Sequence, residues 1–406
     1  MALLKDHLTD ALQPTAVSDP PPIPQATVFS LTHAATDRIL AMGAERKAAL
    51  CVAVGKQAWL GRPIGDLQTG DAYRAYLREV TAQFVDEHAA PVFIAHDLHP
   101  HYLSTVVAKS LNRPTLAVQH HHAHVAAVTA EWAETEPVIG LCCDGVGYGP
   151  DGAAWGGEVL WCDAGHYRRL GHLDYFPLPG GDAAAIDTWR PALSLLKLAF
   201  ANEWHDPADG LMAAMPPRQR DECRRFIDAN LAAVRTSSLG RVFDAVAFLL
   251  GLCNRNDVEA QAAVAVESAA AEYAEEAWPY ETRVDNGSIH LSLLPAIRAL
   301  TRERLRGDDP GRLAARFHET VARLLTTAAT LAAEQTNTPR VALAGGCFAN
   351  RRLRERCIEL LERRRLSVLA PRRVTCGDGA IALGQAAIAA RILERSAPCA
   401  SPFRVV

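Results

Sequence analysis

Pro137-Val138-Ile139-Gly140-Leu141-Cys142-Cys143-Asp144 is an apolar run that ends in a carboxylate. Gly145-Val146-Gly147-Tyr148-Gly149-Pro150-Asp151-Gly152 follows as a glycine-rich turn, and Trp155 to Cys162 returns as a second apolar run. Together they read as a β-hairpin. A similar unit stands upstream: Ala48 to Val54, a Gly55-Lys56 turn, then Gln57 to Leu60. Behind that first hairpin helices and strands alternate, with helix expected over Asp71–His88, Tyr102–Leu111 and His121–Glu134, and strand over Pro91–Ala95 and Thr115–Val118. Behind the second come a helical middle (about Ala183 to Ala277), strand Arg340–Ala344, helix Ala349–Arg364, strand Ser367–Ala370 and a closing helix Ala380–Leu393.

Two hairpin-led α/β units in tandem predict a duplicated ribonuclease-H-like architecture of the actin and sugar-kinase type, with a nucleotide and metal cleft between the lobes. One large Rossmann-like domain with an irregular insert is the alternative. On the first reading residues 1–38 are an extension, with a weak helix Leu3–Leu12 and a stiff linker Pro20-Pro21-Pro22-Ile23-Pro24. Residues 39–136 form lobe one, 137–380 lobe two with its helical insert, and 381–406 a C-terminal helix and tail. At 406 residues, 49% hydrophobic and 22% charged, the chain has the composition of a globular protein large enough for two cores. A net charge of −4 gives no electrostatic footprint for nucleic acid. The ten cysteines form no C-x-x-C pair, which argues against a zinc ribbon or a thioredoxin-type site. No apolar run reaches membrane-spanning length and no signal peptide is evident, so the expected compartment is the cytoplasm and no membrane partner is expected.

The chemistry concentrates at strand-to-helix junctions. In Val118-Gln119-His120-His121-His122-Ala123-His124, His120 and His124 are spaced i,i+4 at the start of a helix and share one face. That spacing offers two nitrogens to one metal ion. Asp144, at the mouth of the glycine turn, is within reach of a metal or its water, and Gly145 and Gly147 allow backbone amides to approach phosphate oxygens. Gly345-Gly346 lies where a strand enters a helix and suits a phosphate or sugar; Asn350 either bonds the ligand or caps the helix. Asp378 in Cys376-Gly377-Asp378-Gly379 is either a helix cap or the carboxylate that completes the histidine site. Gly181-Asp182 sits in a glycine turn at a helix start, and Asp244 lies one turn into an apolar helix, where it can meet a ribose hydroxyl or serve the helix alone.

In order and spacing these motifs resemble the C-terminal catalytic module of HypF-type hydrogenase maturation carbamoyltransferases. The resemblance runs from Gly43-Ala44-Glu45-Arg46-Lys47 through Asp97-Leu98-His99-Pro100, the histidine run, Trp155-Gly156-Gly157-Glu158 and Gly240-Arg241-Val242-Phe243-Asp244 to Asp378-Gly379-Ala380-Ile381. It implies metal ligation by His120, His124 and Asp378 with Asp144 as a fourth contributor, by zinc or iron ahead of magnesium. It implies adenylate binding by Gly181, Asp182, Asp244, Gly345, Gly346 and Asn350. The implied reaction moves a carbamoyl group from carbamoyl-adenylate, made from ATP, to the C-terminal cysteine of a HypE-type partner, with AMP as leaving group. Such a reaction needs a proton acceptor for the thiol, and His121 and His122 are the candidates.

The sequence departs from the family in places. Nothing upstream of Gly43 matches the acylphosphatase-like, zinc-finger and carbamoyl-adenylate-forming domains of full-length members, so a separate protein is expected to supply the adenylate. The usual Y-E-G-Q-A-A reads Val258-Glu259-Ala260-Gln261-Ala262-Ala263, and the usual S-Q-H-I-G-D-L reads Gly61-Arg62-Pro63-Ile64-Gly65-Asp66-Leu67. The alternatives are O-carbamoylation of a small hydroxylated metabolite, and a non-catalytic nucleotide- and metal-binding scaffold subunit. A tRNA role is disfavoured: related tRNA enzymes carry H-x-E-G-H, and His122 stands where the glutamate would be.

Overall fold

The computed structural model describes residue 23 and residues 25–229, 233–271 and 273–396; the expected helix Leu3–Leu12 and the linker prolines lie outside them. The first lobe comprises β1 (Thr27–Ala41), β2 (Cys51–Leu60), α1 (Gly70–Ala82), β3 (Phe93–Asp97), α2 (Leu103–Ser110), β4 (Thr115–Val118) and α3 (His120–Glu131). The second opens with β5 (Val138–Tyr148), β6 (Ala154–Cys162), β7 (Tyr167–Leu173) and β8 (Phe176–Leu178). A largely helical stretch follows: α4 (Ala183–Ile186), α5 (Trp189–Phe200), α6 (His205–Leu211), α7 (Pro217–Ala229), β9 (Val234–Thr236), α8 (Leu239–Leu250) and α9 (Gln261–Ala269). The described residues close with β10 (Glu281–Asp285), β11 (Ser288–Ser292), α10 (Leu294–Leu305), α11 (Pro310–Thr336), β12 (Arg340–Ala344), α12 (Arg351–Arg363), β13 (Ser367–Leu369) and α13 (Ile381–Ser396).

Among the described residues the strands form a 4-stranded sheet, β2-β1-β3-β4, and a 9-stranded sheet whose main path is β10-β11-β7-β6-β5-β12-β13. In the second sheet β5, β6 and β7 are an antiparallel meander, and β12 and β13 continue parallel from β5. The first repeats this scheme with one strand fewer: β2 is antiparallel to β1, and β3 and β4 run parallel beyond it. The two tandem α/β lobes are therefore present.

Three local readings change. The first hairpin is β1 with β2, not a turn inside Ala48–Leu60: Cys51–Leu60 is one strand, and Gly55, at φ 54°, pairs with Ala35 in a register shift. The folded part consequently starts at Thr27, inside the stretch read as an extension. Polar residues such as Thr36, Asp37 and Arg38 mask the alternation of β1, whose Phe29, Leu31, Ala35 and Ile39 are buried. Gly145 and Gly147 lie within β5, and the turn is tightened around Gly149–Ala153. Finally, α13 is not a separate tail. Its Ala382, Leu383, Ala386 and Ala390 pack with Ile39, Ala41, Cys51 and Ala95 of the first lobe.

α3 lies between the two sheets. Val125 and Val128 face Val138, Cys142, Leu160 and Ala342 of lobe two, while Ala127 and Ala130 face α13 and the first sheet. A helix covered on every side is apolar all round. His120 to Val128 are all buried, which places four imidazoles in the interior between the lobes.

Candidate functional site

Helix α3 starts directly after β4, with Gln119 as its cap: Gln119 Oε1 accepts the His122 N–H at 2.8 Å. His120 and His124 then project together, ring centroids 4.9 Å apart. Asp144 arrives from β5, where pairing with β6 jumps from Cys143↔Gly157 to Gly147↔Trp155 and leaves two residues over. A bulge of this kind re-aims a side chain. Asp378 opens a 3-10 turn, Asp378–Ala380, that leads into α13; Gly377 is the cap residue, so the Asp378 carboxylate is not spent on capping.

These four side chains meet. Asp144 Oδ2 lies 3.4 Å from His120 Nε2 and 3.3 Å from His124 Nε2, and Asp378 Oδ1 lies 3.6 Å from each. All four ligand atoms fall within 4.8 Å of one another. Metal–ligand bonds of about 2.0–2.2 Å in a tetrahedral site put neighbouring donors about 3.4 Å apart, so the set fits a divalent ion. His120 Nε2 and His124 Nε2 are buried without a hydrogen-bond partner, a costly state that coordination would relieve. The His120 tautomer is fixed from behind: Asp97 Oδ2 accepts its Nδ1–H at 2.8 Å, leaving the Nε2 lone pair to face the carboxylates. Asp97 Oδ1 in turn accepts the His99 N–H at 2.8 Å.

The electrostatics agree with this ligand set. Burial opposes charge on Asp144, but His120 and His124 outweigh it and hold the carboxyl well below its ordinary range. Burial likewise pushes the His120 imidazole down, and Asp97, Asp144 and Asp378 reverse the sign and raise it. With the carboxylates in place the imidazoles are held toward their protonated form, so a cation entering the site competes with protons for the same nitrogens.

His121 and His122 take other roles. The Gln119 amide is oriented by the His122 N–H and by the Tyr148 carbonyl, so its Nε2 donates to His121 Nδ1 at 3.2 Å. The His121 proton therefore sits on Nε2, and burial together with neighbouring His120 keeps the ring neutral. His122 turns to the Asp163 carbonyl and packs on Tyr167, and burial pushes it down to about 4. In this geometry the Nδ1 lone pair of His121 is engaged by Gln119, and His122 is directed at the Asp163 carbonyl.

The glycines and their neighbours divide. Gly147 faces imidazoles: a Cβ there would stand 2.4 Å from His121 Cε1 and 2.9 Å from His120 Cδ2. Gly345, at φ 91°, lies against Cys143, where a Cβ would meet its carbonyl oxygen at 2.4 Å. The Gly346 N–H donates to Asp144 Oδ1 at 3.0 Å and so ties the glycine junction to the metal ligands. Asn350 is the cap: Oδ1 accepts the Leu353 N–H at 2.9 Å, and Nδ2 donates to His318 Nε2 at 2.9 Å, so both ends of its amide are occupied. Gly145 lies beside Arg241, and Asp244 pairs with Arg241 and accepts from Asn256 Nδ2 at 3.0 Å. Gly181, at φ 56°, has open space where a side chain would be, and Asp182 is exposed at the start of α4.

Sequence reasoning missed Asp97, Gln119, Arg241 and His318 as members of the site. Asp97, the last residue of β3, had one available signal: it ends a strand parallel to the one that feeds the histidines.

Two family models match the chain in tandem: "HypF Kae1-like domain" over residues 34–131 and "Carbamoyltransferase, Kae1-like Domain, second subdomain" over residues 140–385. Fold and matches together define a two-lobed, Kae1-like carbamoyltransferase module. The chain is 41% identical over 386 residues to "Carbamoyltransferase HypF homolog" of Cupriavidus necator, covering 89% of this chain and 96% of the relative. It is 36% identical to "Carbamoyltransferase HypF2" of the same organism, covering 86% of this chain and 46% of that one. A crystal structure of full-length HypF in the phosphate- and nucleotide-bound form is 36% identical, with a TM-score of 0.84, covering 93% of this chain and 58% of that one. The chain belongs to the HypF carbamoyltransferase family. It spans nearly the whole of the first relative and roughly half of the other two proteins.

Proposed function

We propose that this chain transfers a carbamoyl group from carbamoyl-adenylate to the C-terminal cysteine of a HypE-type partner, as a step toward the cyanide ligand of nickel–iron hydrogenase. One observation carries the reading: His120, His124, Asp144 and Asp378 converge from both lobes, and Asp144 is tied to the Gly345-Gly346 junction by the Gly346 N–H. A divalent metal held by these four residues would supply Lewis-acid polarisation of the carbamoyl or phosphate oxygens. Asp97 keeps the His120 donor nitrogen free, and Gly346 orients Asp144. Adenylate would bind beside the Gly345-Gly346 junction and the Gly181-Asp182 turn, with Asp244 for the ribose. Burial of α3 between the sheets excludes water from the side of the site that it walls. In the transfer, the partner's thiolate sulfur bonds to the carbamoyl carbon, the bond from that carbon to the phosphate oxygen breaks, and AMP leaves with the electron pair. The thiol proton goes to solvent beforehand, in keeping with the engagement of the His121 Nδ1 lone pair by Gln119.

The nine described cysteines are free thiols, which supports a reducing, cytoplasmic setting, and no described helix is long and apolar enough to cross a membrane. The test is mass spectrometry of a HypE-type protein incubated with this chain and carbamoyl-adenylate. A carbamoyl adduct on the C-terminal cysteine, lost with His124→Ala, is expected. A carbamoylated small hydroxylated metabolite with an unmodified partner would replace this reading by O-carbamoylation. Nucleotide binding with neither product would leave a scaffold.

A further inference from the structure

The N-terminus of α8 is built into the Asp144 bulge. Ser238 Oγ donates to the Asp144 carbonyl at 3.0 Å and accepts the Arg241 N–H at 3.0 Å. Gly240 has no room for a side chain, since a Cβ would come within 2.9 Å of Gly145 Cα. This seating brings Arg241 beside Gly145: a Cβ added at Gly145 would stand 3.9 Å from Arg241 Nη2. On its far side the same Nη2 pairs with Asp244 Oδ2 at 2.9 Å. The guanidinium is thus held between the bulge that carries a metal ligand and the carboxylate one turn into α8. Only one of its three nitrogens is engaged: Nε and Nη1 are buried with no hydrogen-bond partner. The side chain is 11% exposed, so water does not readily compensate. Buried guanidinium N–H groups left unpaired are costly, and the ligand that repays them is an oxyanion.

We infer that Arg241 is a phosphate-binding residue, its free N–H groups directed to the phosphate of a nucleoside monophosphate moiety bound between Asp144 and Asp244. This rests on the nucleotide part of the function proposed above and assigns the group that reads the phosphate. Asp244 then has two tasks: it holds Arg241 through Oδ2, and it presents the neighbouring carboxylate edge toward the sugar. Gly145 leaves space for the anion next to the guanidinium.

The experiment is calorimetric titration of the full chain with AMP and with adenosine, for the unaltered protein, Arg241→Met and Arg241→Lys. Bound metal and unfolding midpoint are recorded for each. The unaltered protein is expected to prefer AMP. Arg241→Met should lose about 10- to 100-fold in AMP affinity with adenosine affinity unchanged, the size of a charged hydrogen-bond contact. Arg241→Lys keeps the charge but not the planar donor set and should fall between the two; it carries the test if the methionine variant does not fold. Unchanged AMP affinity in the variants, or equal loss for AMP and adenosine, would overturn the assignment while leaving cysteine carbamoylation open. If the unaltered protein binds neither ligand, both the assignment and the nucleotide reading beneath it fall.

Discussion

Replacing Gly384 by alanine should loosen the metal centre although Gly384 touches none of its ligands. In an isolated helix this change would stabilise by about 1 kcal/mol, because alanine is the better helix former. Here the new Cβ would lie 1.9 Å from the Ala123 carbonyl oxygen, 2.6 Å from its carbon and 2.9 Å from Ala123 Cα. All three are backbone atoms of α3, so no side chain can swing aside. Reaching even 3.0 Å from the oxygen requires α13 and α3 to separate locally by 1.1 Å (3.0 − 1.9). Gln385, next in sequence, holds α13 to the first lobe through Gly43 N–H and C=O, at 2.8 and 3.1 Å, so the displacement cannot pass freely along the chain. Asp378, six residues upstream, sits at the head of this unit with its oxygen 3.6 Å from both imidazoles. Metal sites tolerate deviations of about 0.2 Å in ligand distance. A shift several times larger should weaken metal binding by about 10- to 100-fold, the range seen when ligand support is removed. Overpacking should cost about 1–3 kcal/mol of stability as well. Zinc affinity measured by competition with a chromophoric chelator, alongside urea unfolding, reads both effects. Lower stability with zinc affinity unchanged within about twofold would refute the claim that the α13–α3 contact sets the position of Asp378.

Two further predictions concern residues behind the site. Asp97→Ala removes the acceptor that fixes the His120 tautomer and should lower metal affinity about 10- to 100-fold with the far-ultraviolet spectrum unchanged; equal affinity in the two proteins would show that His120 needs no orienting partner. His318, pushed down to about 4 by burial, bears on acid stability. Its ordinary value is about 6.5, so between 6.5 and 4 the unfolded chain binds the extra proton. Its stabilising contribution is therefore whole above that window and is lost on acidification through it. The loss is about 2 kcal/mol between pH 7 and pH 5, and His318→Gln should flatten that part of the profile in urea titrations. A variant with the full slope of the parent protein would assign the acid sensitivity elsewhere, with His122 the next candidate because burial pushes it to about 4 as well.

How much of this was legible in the sequence depends on whether the signal is local. The i,i+4 spacing of His120 and His124 is a property of one helix, and it survives folding because helix geometry alone fixes the shared face. Strands β4, β5, β6 and β12 are short, continuous apolar runs bounded by turn residues, so their positions were readable. β1 was not: its buried residues are separated by Thr36, Asp37 and Arg38, and register shifts against β2 break the simple alternation. Gly55-Lys56 looks like a turn because glycine beside lysine between apolar runs is a turn signal; only the pairing with Ala35 shows it to be an irregularity inside a strand.

The limits at the site have the same origin. Asp144 and Asp378 announce themselves as carboxylates beside glycines, but neither sequence position says which lobe's histidines they will meet. The meeting depends on α13 crossing back to the first lobe, and the only trace of that return in the chain is its small residues, Ala382, Gly384, Ala386, Ala389 and Ala390, opposite Ala123, Ala126, Ala127 and Ala130. Small residues permit two helix backbones to approach; they do not name the partner. Lobe two ends its own sheet at β13, and the helix that follows covers the other lobe, so the last carboxylate ligand is delivered by the connection itself. A metal centre assembled this way depends on how the lobes are fastened: any change that moves α13 against α3 alters the ligand set, even when the histidines and aspartates are left as they are.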